Sequence, residues 1–416
     1  MKPLLRLRGL RITKSTILVF VFSLIIQSVL IGKYLDNSIV SSYAPGAVDA
    51  ADYVSRALNW RTDGFSEAFK DGYRMPGYPV IILLFGFIFP SAPFLGIKLL
   101  QVFCLAISVS MIKVVLNKYV SQKVAVLASL IYAVLPMWHF SPVLLAESLS
   151  SFIIVFLVFI LSSIDISGVT RKKISLLSFL IAVAVYLKPN NLMLIFVVAS
   201  FLFFLFNKGL LAVIRNMIVL VILFISPWLF FVSNAQPGFI GLTTNSGVNL
   251  YIGTGMATVD DGSLLSKSAI RWKVDPQNNP GDVIDISLSE SPLIHHKILT
   301  SKSIDIWMNR PVREIGYGFE KALFAFGLKS ESQLGKTFGL FTLSSIFSGL
   351  ILLRRSKFQA WGYTLLVVSF LLTLQAILFQ ADRRFIIPVF FPFAVICIGI
   401  LVGHLNWLKF SRIKLP

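Results

Sequence analysis

Acidic residues are scarce in this chain. Its 416 residues hold 19 Asp and Glu against 38 Lys and Arg, a formal net charge of +19. Charged residues of both signs reach only 14%, where a soluble domain carries about a quarter. Cysteine is nearly missing. Its two copies, Cys104 and Cys397, both sit in apolar stretches, which excludes a disulfide-stapled scaffold and leaves the redox compartment unread. The four histidines, His139, His295, His296 and His404, form no spaced metal set, so no zinc site is expected. No cofactor is assigned, and dependence on a divalent metal stays open. Walker loops, GxSxG elbows and CxxC pairs are also missing.

Apolar residues fill the space. They make up 56% of the chain, with a mean hydropathy of +0.81, and occur in blocks near the roughly 20 residues that cross a bilayer. A soluble enzyme and a disordered chain are therefore excluded. The expected fold class is an all-α polytopic membrane protein. In a soluble protein the basic excess would suggest nucleic acid. Here it flanks the apolar blocks, as the positive-inside rule requires, so the expected partner is the lipid bilayer, with no nucleic acid.

Ten spans are expected, over 16–33, 94–116, 121–138, 145–164, 174–188, 190–206, 215–233, 337–353, 358–379 and 385–407. The basic N-terminus, Met1 to Lys14, is followed by no small-residue cleavage site, so the first run reads as a retained span. Arg6, Arg8, Arg11 and Lys14 put that end in the cytoplasm. Ten crossings then also place Arg171-Lys172-Lys173, Arg354-Arg355 and Lys409-Arg412-Lys414 inside. An eleventh apolar run, 77–92, would flip every later cluster, so it is expected to lie along the outer interface. The organisation expected is an N-terminal catalytic module over 1–233 with its first outer loop at 34–93. An extracytoplasmic loop region at 234–336 and C-terminal helices at 337–416 complete it. A transporter keeps its polar groups near the midplane; this chain concentrates them at outer helix ends and loops.

In the first outer loop Asp49, Asp52, Tyr53 and Arg56 share one helical face, after a turn at Pro45-Gly46. Asp52 can pair with Arg56 at i+4. Asp49 suits an N-terminal cap or a functional carboxylate. Arg74, in Tyr73-Arg74-Met75-Pro76-Gly77-Tyr78-Pro79, suits a bidentate phosphate contact or a snorkelling contact with headgroups. Glu147 opens the fourth span after Pro142, where an apolar setting makes a carboxylate costly and a candidate for function. Lys188 precedes Pro189 at the outer end of the fifth span, and Asp382-Arg383-Arg384 opens the tenth. These outer cations need a reason that topology does not supply, such as an anionic ligand. The stretch from Thr243 to Gly253 (TTNSGVNLYIG) suits hydrogen bonding to a sugar or headgroup, or an ordinary turn.

The order of these motifs resembles the polyprenyl-phosphate-dependent membrane glycosyltransferases of the GT-C fold, relatives of protein O-mannosyltransferases and aminoarabinose transferases. D-x-x-D-Y follows span one, then come R-x-P-G-Y-P, a Glu after proline at span four and K-P at span five. Pro227-Trp228, TTNSGVNLYIG and R-R-F-I-I-P complete the series, so the resemblance covers nearly the whole chain. It implies Asp49 as catalytic carboxylate and Glu147 as a second acid. Arg74, Lys188, Arg383 and Arg384 would bind the donor phosphate. Asp52, Tyr53, Tyr78, Asn245 and Asn249 would make other substrate contacts. Where relatives often carry two adjacent acids this chain has Asp49-Ala50, and Lys188 stands where Arg is frequent. The implied partners are a polyprenyl-phosphate-linked sugar and an envelope acceptor, met on the outer face of the cytoplasmic membrane. Asp49 would act as base in an inverting displacement. A flippase for a lipid-linked sugar would use the same cations without a base, but no two-fold sequence symmetry supports it. A non-enzymatic assembly subunit is the third class; in it Asp49 and Arg74 need not converge.

Overall fold

The computed structural model describes residues 13–32, 35–36, 38, 47–134, 141–164, 169–205, 209–254, 292–330, 333–379 and 383–412. Pro45-Gly46, His139 and Asp382 lie outside them. Among the described residues all regular structure is helical. The helices are α1 (Lys14–Ile31), α2 (Ala47–Asp63), α3 (Phe65–Phe69), α4 (Gly77–Ile88), α5 (Pro93–Leu116), α6 (Gln122–Val134), α7 (Glu147–Leu161) and α8 (Arg171–Leu187). A 3₁₀ turn, Pro189–Met193, leads into α9 (Leu194–Phe203). Then follow α10 (Leu210–Ala235), α11 (Asn245–Gly253), α12 (Pro292–Asn309), α13 (Pro311–Ala325), α14 (Gln333–Leu353), α15 (Gln359–Leu378) and α16 (Arg383–Arg412).

Each of the ten expected spans overlaps one helix. Five of these, α5, α10, α14, α15 and α16, are long and apolar enough to cross a membrane, by length and composition. The others are shorter among the described residues; the run 121–138, for instance, continues past α6 into residues outside them.

The last helix is the hub. α16 packs against α5, α6, α7, α14 and α15, and its middle, Phe390 to Ile396, is buried throughout. Phe390 and Phe391 meet Phe326, Phe338 and Phe341 edge-on or tilted. The N-terminus of this central helix therefore opens among the ends of its neighbours, which is what carries Arg384 to the site.

Opposite ends of the bundle are told apart by their lysines. At one end Lys113 Nζ donates to the hydroxyls of Thr13, Ser15 and Thr16, each at 2.8 Å. Thr13 also caps α1. Lys118 and Lys173 donate to the carbonyls of Ser162 and Ser163 at 2.5 and 2.6 Å, as cations at a helix C-terminus should. At the other end Gln101 Nε2 of α5 donates to Ser141 O and Val143 O, both 2.8 Å, just before α7 starts.

Helix α4 lies at that second end. Its 12 residues rise about 18 Å. A Cβ on Gly77, in its first turn, would stand 2.4 Å from Tyr186 O, near the C-terminus of α8. Phe85 and Phe89, at its last turn, press on Gly96 in the first turn of α5. Both ends of α4 thus touch the same end of the bundle.

The second polar region is tied down by Lys321 of α13. Its buried ammonium donates to Gly253 O, and to Ile377 O and Phe379 O at 3.2 and 3.3 Å. One lysine thereby closes the C-terminal carbonyls of α11 and α15. Burial lowers its pKa to about 8, against the pull of Glu314.

A candidate active site at one end of the bundle

Ala50, Tyr53, Val54 and Ala57 of α2 are buried, at the spacing of one helical face. That face docks on α4 and sets the neighbouring acids toward the loop before it. Gly72 makes the turn that enters this loop. Its φ of +61° is open to glycine at little cost, and its carbonyl accepts Thr244 N at 3.0 Å. Arg74 follows two residues later.

Asp49 holds two arginines at once. Arg74 Nη2 donates to Oδ1 and Arg384 Nη1 to Oδ2, the latter at 2.5 Å. The two guanidinium groups come from segments 310 residues apart and meet on one carboxylate. Burial acts to raise the pKa of Asp49; the charges and hydrogen bonds of Arg384 and Arg74 outweigh it and hold the carboxyl down at about 2. Its side chain keeps 19% of its surface exposed, so a ligand can reach it.

Asp52 anchors the same arginine from the other side. Arg74 Nε donates to Asp52 Oδ2 at 2.7 Å, while Arg56 Nε donates to Oδ1 at 3.0 Å. The i,i+4 pair legible in the sequence therefore forms. Arg56 does more than that: its two terminal nitrogens grip Asp71 at 2.8 and 2.7 Å, and Nη1 also donates to Ala68 O at 3.1 Å. Asp71 Oδ1 accepts Tyr73 N at 3.0 Å. The guanidinium of Arg74 also faces the Tyr53 and Tyr73 rings at 5.4 and 5.1 Å. Burial is the largest influence on Arg74 and acts to lower its pKa; Tyr53, Asp49 and Asp52 outweigh it and raise it.

The second acid lies beside this set. Lys188 Nζ donates to Glu147 Oε1 at 2.9 Å, joining the end of α8 to the start of α7. The same ammonium sits 4.2 Å from the Phe385 ring, which Arg384 also faces at 5.0 Å. Phe385 is thus the aromatic floor shared by the two cations. Tyr53 and Tyr78 pack ring to ring at 5.0 Å, and Tyr78 Oη donates to Gln101 Oε1 at 3.0 Å. Burial drives the Tyr53 phenol upward; it feels Arg74, Glu147, Asp49 and Arg384 together.

The structure therefore brings Asp49, Asp52, Tyr53, Arg74, Tyr78, Glu147, Lys188 and Arg384 to one place. Arg383 goes elsewhere. It is buried with its guanidinium over Phe324 and Phe338, at 5.0 and 5.9 Å, on the α13–α14 side. The TTNSGVNLYIG stretch is not an ordinary turn: Asn245 opens α11, which runs to Gly253. Its contact with the cluster runs through Thr244, whose Oγ1 donates to Asp71 O at 3.1 Å. Asn245 and Asn249 stand part-exposed on α11, while Gly247 N donates to His296 Nδ1 at 3.1 Å. Trp228 of the Pro227-Trp228 pair is buried, and its Nε1 donates to Leu242 O at 2.7 Å, steadying the same connection.

Sequence reasoning missed Asp71 and Gln101. Asp71 stands in the Asp71-Gly72-Tyr73-Arg74 turn, a signal that was available; Gln101 lies in an apolar run and gave none. Among the described residues no three His, Cys, Asp or Glu side chains gather as a metal set, and Asp49 and Asp52 are held by arginines.

No known protein family and no curated protein matches the chain. Solved structures do. The apo oligosaccharyltransferase of Archaeoglobus fulgidus aligns with a TM-score of 0.55 at 13% identity, over 95% of this chain and 51% of that one. The same organism's oligosaccharyltransferase AglB, in complex with an inhibitory peptide and a dolichol-phosphate, aligns at 0.54 and 14% identity, over 97% and 52%. ArnT from Cupriavidus metallidurans bound to undecaprenyl phosphate aligns at 0.42 and 12%, over 96% and 80%. The chain spans about half the length of the oligosaccharyltransferases. At these identities the likeness establishes the fold, which is the GT-C fold that the order of motifs implies.

Proposed function

We propose that the chain is an integral-membrane glycosyltransferase. It moves a sugar from a polyprenyl-phosphate donor to an envelope acceptor (a lipid, glycan or protein) at the outer face of the cytoplasmic membrane. The observation that carries this reading is the meeting of Arg74 and Arg384 on Asp49, beside the Lys188–Glu147 pair, at one mouth of an apolar bundle. The fold supports it, since a neighbour that shares it was solved with dolichol-phosphate.

The chemistry asks for few parts. A glycosyl phosphate already carries a good leaving group, so its departure needs cations to hold the developing charge. Arg74, Arg384 and Lys188 supply them; Arg383, among Phe324 and Phe338, has no part in this. The acceptor hydroxyl needs a base. Its oxygen attacks the anomeric carbon as the bond to the phosphate oxygen breaks, the electron pair leaves with the phosphate, and the proton passes to Asp49. One displacement inverts the anomeric centre. Glu147 keeps Lys188 in place. The prenyl chain lies along the apolar helices, which accounts for placing the reaction in a membrane.

The test is transfer from labelled polyprenyl-phosphate sugars to envelope fractions by the purified protein. Asp49→Asn removes the base, so transfer falls about 10²–10⁴-fold while donor binding persists. Arg74→Ala weakens donor binding and transfer together, because the ground-state phosphate feels its charge too. Donor translocation without transfer, with Asp49→Asn silent, would identify a flippase instead.

A further inference from the structure

Asp49 as found is a poor base. Two guanidinium groups hold it at a pKa of about 2, and each of its oxygens is occupied by one of them. Yet the same two groups are the cations that the donor phosphate needs. We infer that Asp49 and the donor phosphate compete for Arg74 and Arg384, so that donor binding itself releases Asp49 to act as base. The inference rests on the proposed function.

The geometry marks Asp49 as the exchangeable partner. Arg74 is fixed separately through Nε to Asp52. Asp52 is tied to Arg56, and Arg56 to Asp71 by a two-point grip. When Asp49 lets go, Arg74 therefore stays in place with its Nη2 turned to the incoming anion. Arg384 rests over Phe385, which holds its plane. A phosphate offers what a carboxylate offers, two anionic oxygens side by side, one for each arginine.

The remaining charges favour the exchange. Around Asp49 stand Asp52, Tyr53 and Arg56 on its own helix, and Asp71, Tyr73 and Arg74 on the following turn. Glu147 lies on α7, Lys188 after α8, and Arg384 on α16. Once Arg74 and Arg384 face the phosphate, burial and the neighbouring anion both act to raise the pKa of Asp49. The base is thus masked in the empty protein and unmasked only with donor in place. The order of binding follows: donor first, acceptor second.

The test uses sugar-free undecaprenyl phosphate, so its outcome does not depend on transfer. Its affinity for the full-length protein in nanodiscs is measured for the native chain, Asp49→Asn and Asp52→Asn. Asp49→Asn, with the competitor neutralised, should bind about tenfold more tightly, the scale of one charge-assisted hydrogen bond. Asp52→Asn loses the anchor of Arg74 and should bind more weakly. At pH 4, calorimetry in buffers of different ionisation enthalpy should show more proton uptake on binding by the native chain than by folded Asp49→Asn, whose value corrects for the proton that the phosphate itself gives up beside the arginines. Equal or weaker binding by folded Asp49→Asn, or no excess proton uptake by the native chain over that variant, overturns the inference. The proposed function instead fails if the native chain transfers no sugar from any polyprenyl-phosphate donor.

Discussion

Arg56 is the side chain on which the geometry of Arg74 depends, although it lies one step away from it. It is buried and satisfies Asp71 twice and Asp52 once. Arg56→Ala would leave two carboxylates facing each other across an empty space, with Arg74 alone to balance Asp52. The fork–fork grip on Asp71 is the strongest part. Charge-assisted hydrogen bonds of this kind are worth about 1.5–3 kcal/mol when one partner is removed. Asp71 keeps 28% of its side-chain surface exposed, and solvent screening moves the expectation to the lower end of that range. A double-mutant cycle with Arg56→Ala and Asp71→Ala, read by reversible unfolding in mixed micelles, should therefore give a coupling of about 1–2 kcal/mol. The cycle has a second reading at the site. Because Asp71 Oδ1 also accepts Tyr73 N, Arg56→Ala should loosen the turn before Arg74 and weaken binding of undecaprenyl phosphate, whereas Arg56→Lys should restore only part of it, lacking the planar fork. A coupling below about 0.5 kcal/mol, or unchanged lipid-phosphate binding in Arg56→Ala, would refute the positioning role.

Two other outcomes test the frame around the site. Gly77→Ala puts a Cβ 2.4 Å from the backbone oxygen of Tyr186, which cannot yield as a flexible side chain would. Overpacking should cost about 1–3 kcal/mol and lower the melting temperature, while Gly86→Ala, with nothing within 4 Å, should be neutral or slightly stabilising; equal behaviour of the two would sink the argument. The pH dependence of Asp49 has a definite sign. Its pKa is depressed from 3.8 to about 2, so its stabilising contribution is complete above pH about 4 and is lost as pH falls through 2. Thermal melts of the native chain and Asp49→Asn should differ above pH 4 and converge on acidification; a gap constant with pH would mean that the arginines do not hold Asp49 as described.

The apolar runs fixed where the helices lie, because a stretch with no water partner must satisfy its backbone internally. The charges between them also marked the site. Asp49, Arg74, Glu147, Lys188 and Arg384 stand out because a charged group at a helix end in so apolar a chain is costly without a partner. The short run at 77–92 stood out as an element of its own, and it forms the single helix α4. What the sequence left open is everything that depends on which way a side chain turns. Arg383 and Arg384 look alike in the chain, yet successive helical residues point about 100° apart. Only the packing of α16 sends one to Phe324 and Phe338 and the other to Asp49. The grip of Arg56 on Asp71, the docking of Thr244 on that same turn and the joining of Asp49 to an arginine 335 residues away are likewise products of tertiary contact. Local periodicity carries no information about partners so distant in the chain. It is the burial of α16 at the centre of the bundle that brings them within reach.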